Sequence, residues 1–349
     1  MPTLFEPLQL GEITLPNRII MAPLTRCRAD AGRVPSALMR DYYAQRASAG
    51  LIISEATSVC PMGVGYPDTP GLWSAEQVEG WKLVTKAVHD AGGRIFAQLW
   101  HVGRITAPLY LDGKLPEAPS AIRPAGHVSL VRPTQDYVTP RALETSEIPG
   151  IIEYYRKAAM NAQMAGFDGV EIHGANGYLL DQFLQDSTNQ RTDDYGGSIA
   201  NRARLLLEVT DAAASVFGAE LVGVHLSPRC DVHDMGDSDP LGTFSYVARE
   251  LREAGIAFLC AREHQGPDSI GPELKKIFRG PYIANAGFTK DSAEAALAAG
   301  TADAVAWGQL FIANPDLVAR FKANAALNTP DYTTFYGQGP GGYTDYPAL

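Results

Sequence analysis

The sequence predicts a single (β/α)8 TIM barrel over residues 1–349, and three observations support this fold class. Eight short apolar segments alternate with longer amphipathic segments, as in repeated strand–helix units. Four of the helical segments end at an Ala-Gly pair just before the next apolar run. The chain is also longer than an average domain, which is common for α/β barrels. A doubly wound sheet is the structural alternative, but no GxGxxG motif follows the first predicted strand.

The predicted strands are short apolar runs bounded by glycine, proline or polar residues. In chain order they cover residues 18–21, 51–54, 94–99, 169–172, 221–226, 257–260, 281–284 and 302–306. The amphipathic helices between them are predicted over residues 36–48, 74–91, 146–165, 198–217, 241–254, 290–299 and 315–323. Ser74 and Ser146 are the predicted N-caps of two helices, because a hydroxyl there can accept hydrogen bonds from free backbone N–H groups.

Composition narrows the class of protein. The 29 basic and 39 acidic residues give a net charge of −10 without a basic stripe, so nucleic acid is not an expected partner. No secretory leader and no apolar run of membrane-spanning length is visible, and we expect no membrane association. The four cysteines form no CxxC pair, which fits reduced thiols. We expect a cytoplasmic protein that acts on small molecules as a monomer or a small homo-oligomer.

One long segment interrupts the repeat after the third strand. Residues 100–145 are rich in proline and glycine and show no helical periodicity. Segments of this kind inside a compact domain are usually functional. We interpret this one as a lid or substrate wall over the catalytic face, with a mere surface insertion as the alternative.

Polar and glycine residues follow the carboxyl ends of the predicted strands, where a barrel gathers its active-site residues. In strand order they are Thr25, Glu55 with Ala56, Gln98 to Trp100, His173 with Asn176, His225, Arg262, Ala286 with Gly287, and Gly308 with Gln309. We expect no metal site, and the loop 231–237, with its Asp and His residues, is the weak alternative. No strand-end lysine or GxSxG nucleophile is present either. The set is suited to binding a polar cofactor that carries out the chemistry itself.

One motif places three hydrogen-bonding side chains within six residues. His173, Asn176 and Tyr178 follow the fourth strand and could together grip an oxygen atom and supply a proton. A polar loop that only caps the next helix is the alternative. Gly287 and Gly308 end the last two strands, where barrels often bind a phosphate through backbone N–H groups. Glycines that merely permit tight turns are the alternative there.

Ordered sequence blocks along almost the whole chain resemble one family. They are residues 17–18, 22–26, 54–57, 98–101, 169–173, 178–184, 189, 191–198, 311–317 and 335–336. These blocks resemble the old yellow enzyme family of FMN-dependent ene-reductases and look closest to the bacterial xenobiotic reductases. The resemblance implies an FMN cofactor held without a covalent bond, and NADPH as the hydride donor with NADH as the alternative.

The resemblance also implies a role for each matching residue. Around the flavin it places Pro23, Leu24, Thr25 with its hydroxyl on the C4 carbonyl, Ala56, Gln98, His225, Ala286, Gly287, Gly308, Gln309 and Phe335. His173 and Asn176 would bind the carbonyl or nitro oxygen of the substrate, and Tyr178 would deliver a proton to the α-carbon. The walls of the substrate space would be Tyr66, Trp100, Phe335 and Tyr336.

The implied activity is reduction of activated C=C bonds in α,β-unsaturated carbonyl and nitro compounds, with nicotinamide and substrate using one site in turn. Two neutral donors on one oxygen withdraw electron density from the double bond, and a phenol supplies the proton. Reduction of nitrate esters or nitroaromatics as the main activity is the alternative, because the same pair can hold a nitro group. A flavin-binding protein without turnover is an alternative outside the enzymes, and the intact motif argues against it.

Two positions depart from the family pattern. His225 and Gln309 stand where many relatives carry an arginine, at the N1–C2 edge of the flavin and at the FMN phosphate. Arg229 and Arg262 are the candidates for supplying the missing charge at the ring. A histidine is charged only when protonated, so we expect flavin affinity or potential to change between about pH 6 and 8. Cys27 is interpreted as a structural residue, with a redox-modulating thiol as the alternative.

Overall fold

Eight parallel strands form a closed barrel in the computed structural model, which describes residues 2–349. They are β1 (Ile19–Met21), β2 (Leu51–Ile53), β3 (Ile95–Trp100), β4 (Gly169–Gly174), β5 (Val222–Leu226), β6 (Phe258–Arg262), β7 (Tyr282–Asn285) and β8 (Ala304–Trp307). Each strand pairs with its neighbours in chain order, and β8 pairs with β1 to close the ring. All eight predicted strands are confirmed, with ends displaced by at most two residues.

Ten α-helices accompany these strands within residues 2–349. They are α1 (Ala37–Gln45), α2 (Ala75–Asp90), α3 (Ile148–Met164), α4 (Leu179–Leu184), α5 (Ile199–Phe217), α6 (Pro240–Glu253), α7 (Gly271–Phe278), α8 (Lys290–Ala298), α9 (Gln309–Ala313) and α10 (Leu317–Ala323). The sequence did not predict α4, α7 and α9, each of which has eight residues or fewer. None of the helices described has the length and hydropathy needed to cross a bilayer.

The two predicted serine N-caps have different outcomes. Ser74 accepts a hydrogen bond from the Gln77 N–H and the Gln77 side chain accepts one in return, so the capping box of α2 is confirmed. The prediction for Ser146 was wrong, because this serine lies inside a 3-10 turn that precedes α3. There the Glu147 carboxylate accepts from the Glu144 N–H at 2.8 Å, so a carboxylate and not the hydroxyl closes the turn.

Side chains alternate between two apolar regions along the barrel strands. On β4, Val170 and Ile172 pack outward with the residues of the surrounding helices. The inner region is apolar at the amino ends of the strands, and an N-terminal hairpin that was not predicted (Leu8–Leu10 with Ile13–Leu15) packs against it. The inward positions that remain for polar chemistry therefore lie toward the carboxyl ends.

The long segment after β3 packs beside the polar motif. Trp100 itself is the last residue of β3, so the excursion begins one residue later than predicted. The segment is not wholly irregular, since Glu117–Ala118 and Arg141–Ala142 form a short parallel pair. Two of its apolar clusters pack against Tyr178, one of them around Ile105. The segment therefore packs beside the polar motif, and its interpretation as a lid or substrate wall stays a prediction.

Candidate active site

A cavity of about 1000 Å³ opens at the carboxyl ends of the barrel strands. This volume is at the upper end of the range for ligand sites and leaves room for a cofactor together with a substrate. Among residues 2–349, no Asp or Glu lines the cavity, whereas Arg262, Lys290 and Arg320 do. In a chain with a net charge of −10, this distribution favours an anionic ligand.

The segment from His173 to Tyr178 presents three polar side chains to this cavity. His173 belongs to β4, and Tyr178 directly precedes α4. Asn176 lies between them in the left-handed region, with a φ of 59°, and its N–H donates to Ser227 Oγ at 2.6 Å. A loop that served only to cap α4 is not what the structure shows, because Tyr178 makes no side-chain capping hydrogen bond.

His173 is a neutral imidazole in this environment. It is buried, and its ring centroid lies 6.3 Å from that of Trp100 and 5.7 Å from that of His225. Burial holds the pKa of His173 well below its ordinary value, and the neighbouring His225 and Arg262 lower it further. Its Nδ1 has no hydrogen-bond partner within residues 2–349. A neutral imidazole can offer one N–H to a ligand oxygen.

Tyr178 carries its proton under ordinary conditions. Its hydroxyl lies 2.9 Å from the Tyr66 hydroxyl, and either group can donate. Burial raises the pKa of Tyr178 well above its ordinary value, and the neighbouring Tyr66 raises it further. Edge-to-face contacts with Trp100 and His173, at 5.0 and 5.1 Å between centroids, fix the ring beside the imidazole. The arrangement therefore offers a protonated phenol next to a hydrogen-bond donor.

Gln98, Glu171 and His225 form a polar group at the floor of the cavity. Gln98 Nε2 donates to Glu171 Oε1 at 2.7 Å and lies 3.3 Å from His225 Nδ1. Since its amide nitrogen is engaged there, the carbonyl oxygen of Gln98 is left for another partner. His225 Nε2 is buried without a partner within residues 2–349. The Gln98 carbonyl oxygen can accept from an N–H group, and the unpartnered His225 Nε2 can donate to a C=O group when it carries a hydrogen. This pair suits the edge of a heterocycle in which N–H and C=O groups alternate.

Sequence reasoning missed Glu171 and Cys260. With His225 they form the one trio of residues 2–349 whose ligand atoms lie near enough, within 4.8 Å, to hold a metal ion. Strand alternation could have found both, because each stands two residues before a strand-end candidate, His173 or Arg262. The loop 231–237 contributes no residue to this trio.

Backbone groups after β7 and β8 build the opposite end of the cavity. Ala286 and Gly287 have φ angles of 88° and 78°, and left-handed backbone of this kind occurs in anion-binding loops. A Cβ on Gly308 would lie 3.0 Å from the Leu24 side chain, so glycine keeps this space open. The side-chain oxygen of Gln309 accepts a hydrogen bond from the Tyr332 hydroxyl at 3.2 Å, so the NH2 group of Gln309 remains free to donate. These donors suit a phosphate.

The cavity brings together most of the residues predicted for the site. Its lining includes Pro23, Leu24, Thr25, Ala56, Gln98, Trp100, His173, Asn176, Tyr178, His225, Ala286, Gly287, Gly308, Gln309 and Tyr336. Tyr66 and Phe335 are not part of the lining, which differs from the sequence expectation. Tyr66 lies behind two residues of the lining, with its hydroxyl 2.9 Å from that of Tyr178 and its ring stacked on Trp100 at 5.5 Å between centroids. Phe335 packs against the buried Arg26, whose Nε donates to the Phe335 carbonyl at 3.0 Å and whose guanidinium lies 5.6 Å from the ring centroid.

The structure separates the two arginines considered for the missing charge. Arg262 lines the cavity, whereas Arg229 pairs with Glu263 at 2.9 Å and also with Asp268. Cys27 is fully buried, and burial raises its pKa to about 12. A protonated, buried thiol supports the interpretation of Cys27 as a structural residue.

Comparison with known proteins identifies the family. A model of the NADH:flavin oxidoreductase / NADH oxidase family matches residues 3–328. A probable flavin mononucleotide-dependent alkene reductase of Leishmania infantum is 45% identical, with 99% of this chain and 97% of that protein covered. The solved old yellow enzyme homologue from Zymomonas mobilis is 48% identical, with a TM-score of 0.97 and both chains fully covered. Morphinone reductase, solved in complex with tetrahydroNAD, is 51% identical with a TM-score of 0.97, covering 100% of this chain and 98% of that one.

The resemblance found in the sequence blocks is thus confirmed over the whole chain. The chain belongs to the NADH:flavin oxidoreductase / NADH oxidase family, which includes the old yellow enzymes, and is an FMN-dependent oxidoreductase.

Proposed function

We propose that this enzyme reduces the activated C=C bond of α,β-unsaturated carbonyl and nitro compounds, with NADPH as reductant. The observation that carries the proposal is the convergence of two neutral donors, His173 and Asn176, and one phenol, Tyr178, on a cavity whose described lining has no carboxylate. The similarity to an alkene reductase and to a reductase solved with a nicotinamide derivative supports the same class of reaction.

The cavity fits FMN at both ends, without a covalent bond. Gln98 and the unpartnered His225 Nε2 would hold the pyrimidine edge of the ring, with the Thr25 hydroxyl at the C4 carbonyl. The loops after β7 and β8 would bind the phosphate through backbone N–H groups and the Gln309 amide. When bound, FMN supplies hydride transfer, accepting a hydride from the nicotinamide and passing one to a substrate carbon.

His173 and Asn176 polarise the substrate in this mechanism. The imidazole N–H and the carboxamide NH2 both donate to the carbonyl or nitro oxygen. As the β-carbon receives a hydride, negative charge accumulates on that oxygen, and fixed donors stabilise it more than they stabilise the neutral substrate. A neutral His173 is suited to this role because it can donate an N–H to this oxygen without carrying a charge of its own.

Tyr178 completes the reaction by protonating the α-carbon. Its raised pKa keeps the phenol protonated at neutral pH, so the proton is present when the carbon becomes basic. The Tyr66 hydroxyl lies 2.9 Å from that of Tyr178 and orients it. Because Tyr66 can also donate, it can hydrogen-bond to the Tyr178 oxygen once that oxygen has lost its proton. After transfer, solvent must return a proton to Tyr178.

One cavity serves the nicotinamide and the substrate in turn. The carboxamide oxygen of a nicotinamide can accept from His173 and Asn176 as the oxygen of an enone does. Alternating use of these donors requires no separate dinucleotide-binding motif, which agrees with the lack of a GxGxxG after the first strand. We propose NADPH as the preferred donor, with NADH as the alternative.

The test is side-by-side turnover of 2-cyclohexenone and glycerol trinitrate by the purified holoenzyme, each with NADPH and with NADH. The proposal expects faster turnover of cyclohexenone and a preference for NADPH. Faster turnover of the nitrate ester would make a nitrate-ester or nitroaromatic reductase the main activity, which the same oxygen-binding pair could serve. Turnover of neither compound would refute the reductase assignment.

A further inference from the structure

The carboxamide of Asn176 can face a ligand in two ways, and only one of them binds an oxygen. The Asn176 backbone is fixed by its left-handed φ of 59°, by donation of its N–H to Ser227 Oγ, and by the contact of its carbonyl with His233 Nδ1 at 2.8 Å. These contacts do not decide whether the side chain turns its oxygen or its NH2 group toward the ligand. Rotation by half a turn exchanges the two groups with almost no change in shape.

Arg262, the last residue of β6, determines which group of the Asn176 carboxamide faces the ligand. Its Nη1 donates to Asn176 Oδ1 at 2.7 Å. A guanidinium has only donors, so the rotated carboxamide would bring its NH2 group against an N–H and lose the hydrogen bond. The carboxamide oxygen is therefore committed to Arg262, and the NH2 group is available to the cavity.

Arg262 also brings a positive charge without a carboxylate partner among the described residues. Its other polar contact is Cys230 Sγ at 3.7 Å, and the adjacent Glu263 is paired with Arg229 instead. This charge also acts on His173, the second donor to the substrate oxygen, because Arg262 contributes to the lowered pKa of His173. The effective dielectric constant within a protein is lower than that of water, so an unpaired charge acts on ligands several ångströms away.

We propose that Arg262 is a positioning residue of the oxygen-binding site, which fixes the Asn176 carboxamide as a donor and strengthens the binding of an oxygen that carries negative charge. This inference rests on the proposed function, since it concerns the same substrate oxygen. The ligands that Arg262 favours are phenolates and the enolate-like or nitronate-like states of the reaction. Neutral carbonyl compounds gain less from it.

A double-mutant cycle tests the proposal with 4-chlorophenol as an oxyanion probe, titrated into the FMN-loaded enzyme and followed by flavin absorbance. Arg262→Met removes the donors and the charge while keeping a long side chain. We expect it to weaken phenol binding about tenfold or more, since hydrogen bonds to charged groups are worth more than neutral ones. In an Asn176→Ala background the same substitution is expected to weaken phenol binding by a clearly smaller factor, because the positioning effect is lost with the carboxamide and only the effect of the charge remains.

Two further variants separate positioning from folding. Arg262→Lys retains the charge and one donor group, and we expect it to recover part of the affinity. Arg249→Met removes an exposed arginine of α6 and is expected to bind the phenol as the wild type does. Arg262→Met should still be purified with bound FMN and a flavin spectrum, which would show that the cavity is folded.

Three results would overturn the proposal while leaving the proposed function in place. Unchanged phenol binding in Arg262→Met would remove its role. A loss of equal size with and without Asn176 would mean that Arg262 acts on the ligand without positioning Asn176. Weakened FMN binding with normal phenol affinity would assign Arg262 to the flavin instead. A wild-type protein that binds no FMN would overturn the proposed function and this inference together.

Discussion

Replacing Tyr178 by phenylalanine removes the proposed proton donor and little else. The Tyr178 ring packs edge-to-face against Trp100 and His173, and phenylalanine preserves those contacts. The hydroxyl takes part in one hydrogen bond, to Tyr66 at 2.9 Å, whose net contribution to stability is about 1 kcal/mol. The variant is therefore expected to fold and to bind FMN normally.

The expected effect on catalysis is much larger than the effect on stability. A positioned general acid typically contributes about 10²- to 10⁴-fold to a rate, or roughly 3 to 5 kcal/mol at 1.4 kcal/mol per tenfold. Protonation of the α-carbon occurs only when the substrate is reduced. The loss should therefore appear in oxidation of the reduced enzyme by an enone and not in its reduction by NADPH.

Anaerobic stopped-flow absorbance measures the two half-reactions separately. For Tyr178→Phe we expect reduction by NADPH within about twofold of the wild type and oxidation by 2-cyclohexenone slowed by about 10²-fold or more. Tyr66→Phe is the matched control, because it removes the same hydrogen bond and keeps the donor, and it should slow oxidation less than tenfold. Unchanged oxidation in Tyr178→Phe, or equal losses in both variants, would refute the assignment of the proton to Tyr178.

Three other outcomes follow from the structure. His173→Ala and Asn176→Ala should each lower cyclohexenone turnover by about 10²- to 10³-fold, as loss of one oxyanion donor does, and steady-state kcat/KM with the two single variants checks this. Gly308→Ala should weaken FMN binding about tenfold by placing a methyl group 3.0 Å from a leucine of the cavity wall, whereas Gly341→Ala, whose Cβ has open space, should bind FMN normally in a fluorescence titration. Burial raises the pKa of Glu55 from 4.5 to about 7, so the folded state binds the Glu55 proton more tightly than the unfolded state does. This proton therefore contributes fully to stability below about pH 4.5, and the contribution is lost as the pH rises to about 7. In urea unfolding, the free energy of unfolding of Glu55→Gln should rise by roughly 3 kcal/mol relative to that of the wild type across this pH range. Parallel pH profiles of the free energy of unfolding in the two proteins would contradict the raised pKa of Glu55.

The barrel was predictable because its signals are local. Short apolar strands and Ala-Gly helix ends repeat along the chain, and each is read from a few neighbouring residues. Elements too short to show a period were missed, among them α4 and α9, which lie directly after the polar motif and the last strand. Ser146 was predicted to cap α3, but the Glu147 carboxylate makes the hydrogen bond that closes the preceding turn.

The site was predictable as a set of residues but not as a set of contacts. Strand ends pointed to His173, Asn176 and Arg262, since all carboxyl ends of a barrel meet at one face. The hydrogen bond between Arg262 and Asn176 joins positions 86 residues apart, and no local pattern encodes it. Glu171 escaped notice because only strand-end residues were considered, although alternation places it on the same inner face as His173.

The central claim is that this cavity holds FMN and transfers reducing equivalents from NADPH to an activated double bond. The most direct measurement is the visible spectrum of the purified protein under anaerobic conditions, before and after NADPH and then after 2-cyclohexenone. The account predicts a flavin spectrum that is bleached by NADPH and restored by the enone, with FMN released on denaturation. A colourless protein that takes up no added FMN, or a bleached flavin that the enone does not reoxidise, would contradict it.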